Sequence, residues 1–151
     1  MSAFARLRDA WPGPGAALRI LGASGQLGLG IPRDSFDRGI AAKPHAIGAD
    51  MGSIDPGPAY LGSGRIAAPE RLVKRDLHLL LGAARRLDVP LLIGTAGTAG
   101  AGPHLDHTLD LLRGVAQEAG LSFRLGVIRS DVPPALVRAG HADGRDRKSV
   151  V

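Results

Sequence analysis

The 151-residue sequence contains no cysteine, which excludes disulfides, thiolate-bound metal and a thiol nucleophile. Aromatic residues make up only 3%, too few for a surface that stacks bases or sugar rings. Lysine occurs only at Lys43, Lys74 and Lys148, and the net charge of +5 is carried mainly by dispersed arginines. Without a basic block or an aromatic-interleaved stripe, nucleic acid is not the expected partner. No apolar run is long enough to cross a bilayer: the strongest, Leu77 to Ala84, is short and flanked by Arg75, Asp76, Arg85 and Arg86. The opening segment is interrupted by Pro12-Gly13-Pro14-Gly15, so no secretory signal is read there and the cytoplasm is the expected compartment.

What the chain has in excess is glycine, 22 residues, set in an otherwise globular composition of 44% hydrophobic and 22% charged residues. Short apolar segments bounded by glycine predict strands at Leu18–Leu21, His45–Ala49, Val89–Ile93 and Phe123–Ile128. Between the second and third, Leu72, Val73, Leu77, Leu80, Leu81 and Ala84 recur at helical spacing after Pro69 and Glu70. A second long helix is predicted from Pro103, with Leu105, Leu109, Leu112, Val115 and Ala116 on one face and Gly120 as a left-handed cap. Shorter helices are expected near Ser35–Ala42 and from Pro133 or Pro134. Alternating strands and helices define an α/β class with a parallel sheet and crossover helices, in a Rossmann-like layered architecture that is incomplete at the C-terminus.

Residues 1–17 read as a flexible N-terminal segment and 18–145 as one α/β domain, the N-terminal part of a longer protein. The closing Asp146-Arg147-Lys148-Ser149-Val150-Val151 reads as a non-native tail, the translation of a sequencing adapter.

The glycines are expected outside the helices, gathered where strands end: Gly22 to Gly30, Gly48 to Gly64 and Gly94 to Gly100. In a parallel sheet these segments emerge at the carboxyl edge, where ligands bind. The first, Gly22-Ala23-Ser24-Gly25-Gln26-Leu27-Gly28, resembles the pyrophosphate turn of extended short-chain dehydrogenases, although Gly30 and Pro32 fall where that helix should run unbroken. Ser24 and Gly25 are its candidate ligand contacts. In the second, Asp50 stands at a strand end and Ser53 and Asp55 follow in the loop, a pattern suited to acid–base work, oxygen ligation or turn capping. In the third, Thr95, Gly97 and Thr98 precede a helix and can hold a phosphate or carboxylate, or form a compact turn. His104, Asp106, His107 and Asp110 open that helix; His104 is the candidate proton carrier, and no metal or cofactor is assigned.

At these loops the sequence resembles the amino-terminal domain of the acyclic terpene utilisation protein family. The resemblance rests on Ile20-Leu21-Gly22-Ala23-Ser24-Gly25, Ile47-Gly48-Ala49-Asp50-Met51-Gly52-Ser53 and Ile93-Gly94-Thr95-Ala96-Gly97-Thr98-Ala99-Gly100. It departs at Gln26-Leu27-Gly28. It implies a longer protein handling terpenoid-derived acids or their coenzyme A thioesters, without identifying a nucleophile. The expected function is therefore an enzyme or enzyme component of small-acid or acyl-thioester catabolism. It would bind an anionic or acyl-thioester ligand, with Asp50 or His104 moving protons. Alternatives are a nicotinamide-dependent oxidoreductase and a non-catalytic ligand-binding or assembly subunit; association into a homo-oligomer is left open.

Overall fold

The computed structural model describes residues 5, 8, 9, 11, 13–15, 17–23, 25–52 and 58–145. Three parallel strands, β1 (Ile20–Gly22), β2 (Ala46–Asp50) and β3 (Leu91–Gly94), form a sheet in the order β1-β2-β3. Helix α1 (Arg33–Ala41) links β1 to β2; α2 (Ala59–Ser63) and α3 (Glu70–Leu87) lie between β2 and β3. Two more helices follow, α4 (Gly102–Glu118) and α5 (Pro134–Ala142). The chain is thus a mixed α/β protein with a parallel sheet, and among the described residues no helix is long and apolar enough to cross a membrane.

Register decides which side chains share a face. Leu21, Ile47 and Leu91 lie in one row, with Ala49 beside Ile93 in the next, and this face joins the hydrophobic core with Phe36, Val73, Leu77, Leu80, Leu111, Leu112 and Val115. Ile47, Val73, Leu77 and Leu80 are completely buried; each such side chain contributes roughly 1.5–3 kcal/mol by leaving water. Helix α3 packs against β2 and β3, and α4 packs on α3. Both crossover connections bring their helices to this face, as connections of one hand in a 1-2-3 sheet require. On the opposite face Ile20 and Leu92 stay 64% and 47% exposed.

Helix α3 has Glu70 in its first turn and Arg85 and Arg86 in its last, charges that complement the helix dipole. It ends on Asp88 at φ 54°. Helix α4 ends as its sequence predicts: Gly120 has φ +61°, and the Leu121 N–H donates to the Ala116 carbonyl at 2.8 Å, closing the terminus with a glycine in the left-handed region. Its buried face, however, is His104, Thr108, Leu109, Leu111, Leu112 and Val115, rotated from the expected one; Leu105 and Ala116 are only half-buried.

Two expectations are corrected. Phe123–Ile128 forms no strand: Phe123 settles partly onto the core while Ile128 is 90% exposed, and the residues just beyond, Arg129 and Asp131, bond to α4. A strand exists only through its partner, and Gly126 at the centre of this segment weakens pairing further. Glycines also lie inside helices. Gly39 of α1 is one; a Cβ there would meet the end of the Leu21 side chain, with Cδ1 at 2.5 Å.

Candidate functional site

The strand ends do meet at one edge. The Ala23 N–H donates to the Gly48 carbonyl at 2.8 Å, Leu27 N–H to Asp50 O at 2.8 Å, and Met51 N–H to Gly94 O at 3.0 Å. The first loop is thereby tied to the end of β2, and β2 to the end of β3.

Within the first loop, Gly25 is exposed with open space where a Cβ would be. Gly28 is different: it is buried with φ +96°, and a Cβ there would sit 2.4 Å from Ala68 Cβ. Its N–H donates to Asp76 Oδ2 at 2.9 Å. Asp76, only 1% exposed, also accepts from Arg75 through Oδ1 at 2.9 and 3.0 Å. This buried carboxylate anchors the loop from α3, a role the loop sequences do not reveal. The signal lies in α3 itself, where an acid interrupts the apolar series Val73, Leu77, Leu80. Asp76→Asn turns an amide N–H₂ toward Arg75 or toward the Gly28 N–H, and is expected to cost about 1–3 kcal/mol. Thermal melting against the exposed control Asp37→Asn checks it; equal midpoints contradict the anchor.

At the end of β2 the Asp50 side chain is exposed. Its Oδ1 accepts from the Gly52 N–H at 2.9 Å and lies 3.7 Å from the Cβ position of Gly94, its register partner. One lobe of the carboxylate is thus fixed by the backbone, and Oδ2 has no hydrogen bond to a described residue. Gly52 is glycine for a steric reason: a Cβ would meet Thr95 Cγ2 at 2.6 Å. Asp50 and the exposed Thr95 are therefore held on the same part of the edge.

The third loop is left-handed at Thr95 (φ 46°), Gly97 (70°), Thr98 (85°) and Gly100 (70°). Two β-branched residues in that region are genuine outliers, which persist only where the surroundings impose them. The impositions are visible. Thr98 is buried and its Oγ1 accepts from the Ala67 N–H at 2.9 Å; Gly97 is buried against the first turn of α4. His104 is completely buried and its Nε2 lies 2.8 Å from the Tyr60 carbonyl. A carbonyl only accepts, so Nε2 carries the proton and donates. His104 Nδ1 is buried without a partner among the described residues.

The candidate residues therefore divide. Asp50, Thr95 and Gly25 are on the exposed edge. Thr98, Gly97 and His104 are interior and hold the third loop, α2 and α4 together. Neither Thr98 nor His104 presents its side chain to solvent in this conformation, because each is committed to packing and to a backbone partner. Ser24, Ser53 and Asp55 lie outside the described residues. The polar cluster opening α4 disperses: Asp106 pairs with Arg129, Asp110 with Arg113 and His107 with Glu70. His45, which has no obvious partner in the sequence, accepts from the Arg19 N–H at 3.0 Å. Among the described residues no group of three His, Cys, Asp or Glu is placed to hold a metal ion.

The Arg129 guanidinium is held above its ordinary pKa by its hydrogen bond to Asp106 and the attraction of that carboxylate. Chemically, the edge offers one half-engaged carboxylate, one hydroxyl and backbone groups. That set can bind and orient a polar ligand. No family model, curated protein or solved structure matches the chain.

Proposed function

We propose that this chain is the ligand-binding α/β part of a cytoplasmic enzyme acting on small acids or acyl thioesters, with a Rossmann-like layering. One observation carries the reading. Three parallel strands end at one edge, where β2 closes on Asp50, whose Oδ1 is fixed by the Gly52 N–H while its other oxygen has no hydrogen bond to a described residue. A carboxylate oriented in this way accepts a ligand hydroxyl, amide or acidic C–H proton without reorganising. The resemblance to the acyclic terpene utilisation family is compatible with this ligand class.

The interior position of His104 favours a second reading, in which the domain binds and positions its ligand while another part of the enzyme supplies the proton carrier. The first loop does not favour the nicotinamide alternative. Gly28 is filled from behind by Ala68, and α1 begins only at Arg33 after an N-cap Pro32 without a side-chain cap, rather than on the loop glycines, where a pyrophosphate turn places its helix.

Acetyl coenzyme A serves as the probe. Titration into ¹⁵N-labelled protein is expected to shift the amides of Gly25, Gly52 and Thr95. Asp50→Asn should weaken binding about tenfold, the loss of roughly one charge-assisted hydrogen bond, with the melting temperature unchanged because the side chain is exposed. Unshifted edge amides, or an unchanged affinity in the variant, overturn the assignment.

A further inference from the structure

After Phe123 the chain loses its hold on the core. Residues 124–139 are all exposed, α5 has no buried residue, and among the described residues no backbone hydrogen bond joins 122–132 to the sheet or helices. Two polar contacts hold the segment instead. The N–H of Gly102, the first residue of α4, donates to Asp131 Oδ1 at 2.7 Å, and Arg129 pairs with Asp106 one turn further along the helix. The Arg129 Nη1 also lies 3.6 Å from the Cβ position of Gly102, beside the Asp131 carboxylate. The guanidinium therefore lies close to both acids.

We propose that residues 124–133 form a strap, hinged at Phe123 and latched across the first turn of α4 by Asp131 and Arg129, and that opening the latch releases the start of α4 where it adjoins the third-loop rim of the ligand edge. The name of that rim rests on the reading above; the latch does not. The two ends of the strap differ in kind. Leu121 and Phe123 are held by apolar packing, which moderate salt leaves in place. The Arg129 and Asp106 side chains are 53% and 56% exposed, and exposed pairs are weak and screened by ions. Ionic strength therefore opens one end and leaves the hinge. The opened end frees the Gly102 N–H two residues after Gly100 of the third loop.

Amide hydrogen exchange on the full chain tests this at a single atom. At low salt the Gly102 amide should exchange about tenfold more slowly than an uncapped first-turn amide, the factor expected of an ordinary helix cap. That protection should vanish in Asp131→Ala, which removes the accepting oxygen, and should fall in about 1 M NaCl, where charges more than about 3 Å apart are screened. It should fall part-way in Arg129→Gln, which leaves the cap itself intact. Leu111 and Leu112 in the middle of α4 should stay protected throughout, while the amides of Thr95 and Gly100 shift with the latch. Gly102 exchange that ignores salt and both variants overturns the latch. Loss of protection at Leu111 and Leu112 in step with Gly102 overturns it too, since the helix and not the strap would then be opening. Unmoved Thr95 and Gly100 amides overturn the coupling to the ligand edge. Asp50→Asn alters acetyl coenzyme A binding without touching Gly102 exchange, so the two proposals fail separately.

Discussion

Gly97→Ala is expected to lower stability by at least about 3 kcal/mol, a drop of roughly 6–12 °C in melting temperature for a chain of this size. Two costs add. The backbone is left-handed at φ +70°, which charges an alanine about 1–2 kcal/mol. The new Cβ would also lie 2.6 Å from the His104 carbonyl oxygen and 2.9 Å from its carbon, and these atoms belong to the first turn of α4, which cannot yield as a flexible side chain would. Moving the third loop away from α4 loosens the surroundings of His104, whose bond to Tyr60 ties α2 to the same region. Gly48→Ala is the control. Its Cβ position meets nothing within 4 Å, and alanine in an extended backbone gains up to about 1 kcal/mol by restricting the unfolded chain. Equal melting temperatures for the two variants would show that the contact at Gly97 relaxes at no cost.

Gly28→Ala should be at least as severe, again about 3 kcal/mol or more. Here the Cβ would meet Ala68 Cβ at 2.4 Å and Val73 Cγ2 at 3.0 Å with φ at +96°. A second substitution separates the steric part from the conformational part. Ala68→Gly deletes the nearer obstacle, so the double variant should recover about 1–2 kcal/mol relative to Gly28→Ala alone, a departure from additivity expected of touching residues. Backbone strain at position 28 and the void left at position 68 prevent full recovery. Chemical denaturation of the four proteins measures the coupling. Simple additivity would mean that the two residues do not meet, and that the first loop is held in place mainly by Asp76.

These pairs show where the sequence is readable and where it is not. Strands β1 to β3 and helices α1, α3, α4 and α5 follow from apolar spacing and punctuation, which are local properties. The short α2 sits in a glycine-rich stretch that reads as loop. The expected strand at Phe123–Ile128 has the right pattern, but pairing is a non-local condition and the pattern cannot supply a partner. Glycine is the least transparent residue in this chain: Gly25, Gly28, Gly48 and Gly97 look alike in sequence. Gly25 and Gly48 face open space, whereas Gly28 is locked against Ala68 and Gly97 against the first turn of α4. His104 reads in the sequence as part of a polar cluster opening α4. Its burial follows from the rotation of that helix, which puts His104, Thr108 and Leu111 on the packed face, where Thr108 donates to the His104 carbonyl at 2.8 Å. Asp50 at a strand end was readable because parallel topology alone carries it to the carboxyl edge.

The order β1-β2-β3 with every neighbour parallel also constrains how the chain reaches this structure. A hairpin can zip from its turn, but here Ile20 must find Ala46 and Ile47 must find Leu91 across whole helices. Closing such long loops costs entropy before any ladder bond is gained, and a high proportion of distant contacts slows folding. The α3 segment, rich in local contacts, is therefore the natural nucleus, with Leu77 and Leu80 forming the surface on which β2 and β3 are assembled. Until they arrive its apolar stripe stands open to water, so newly made chains are most prone to self-association during this early interval rather than once the sheet has closed.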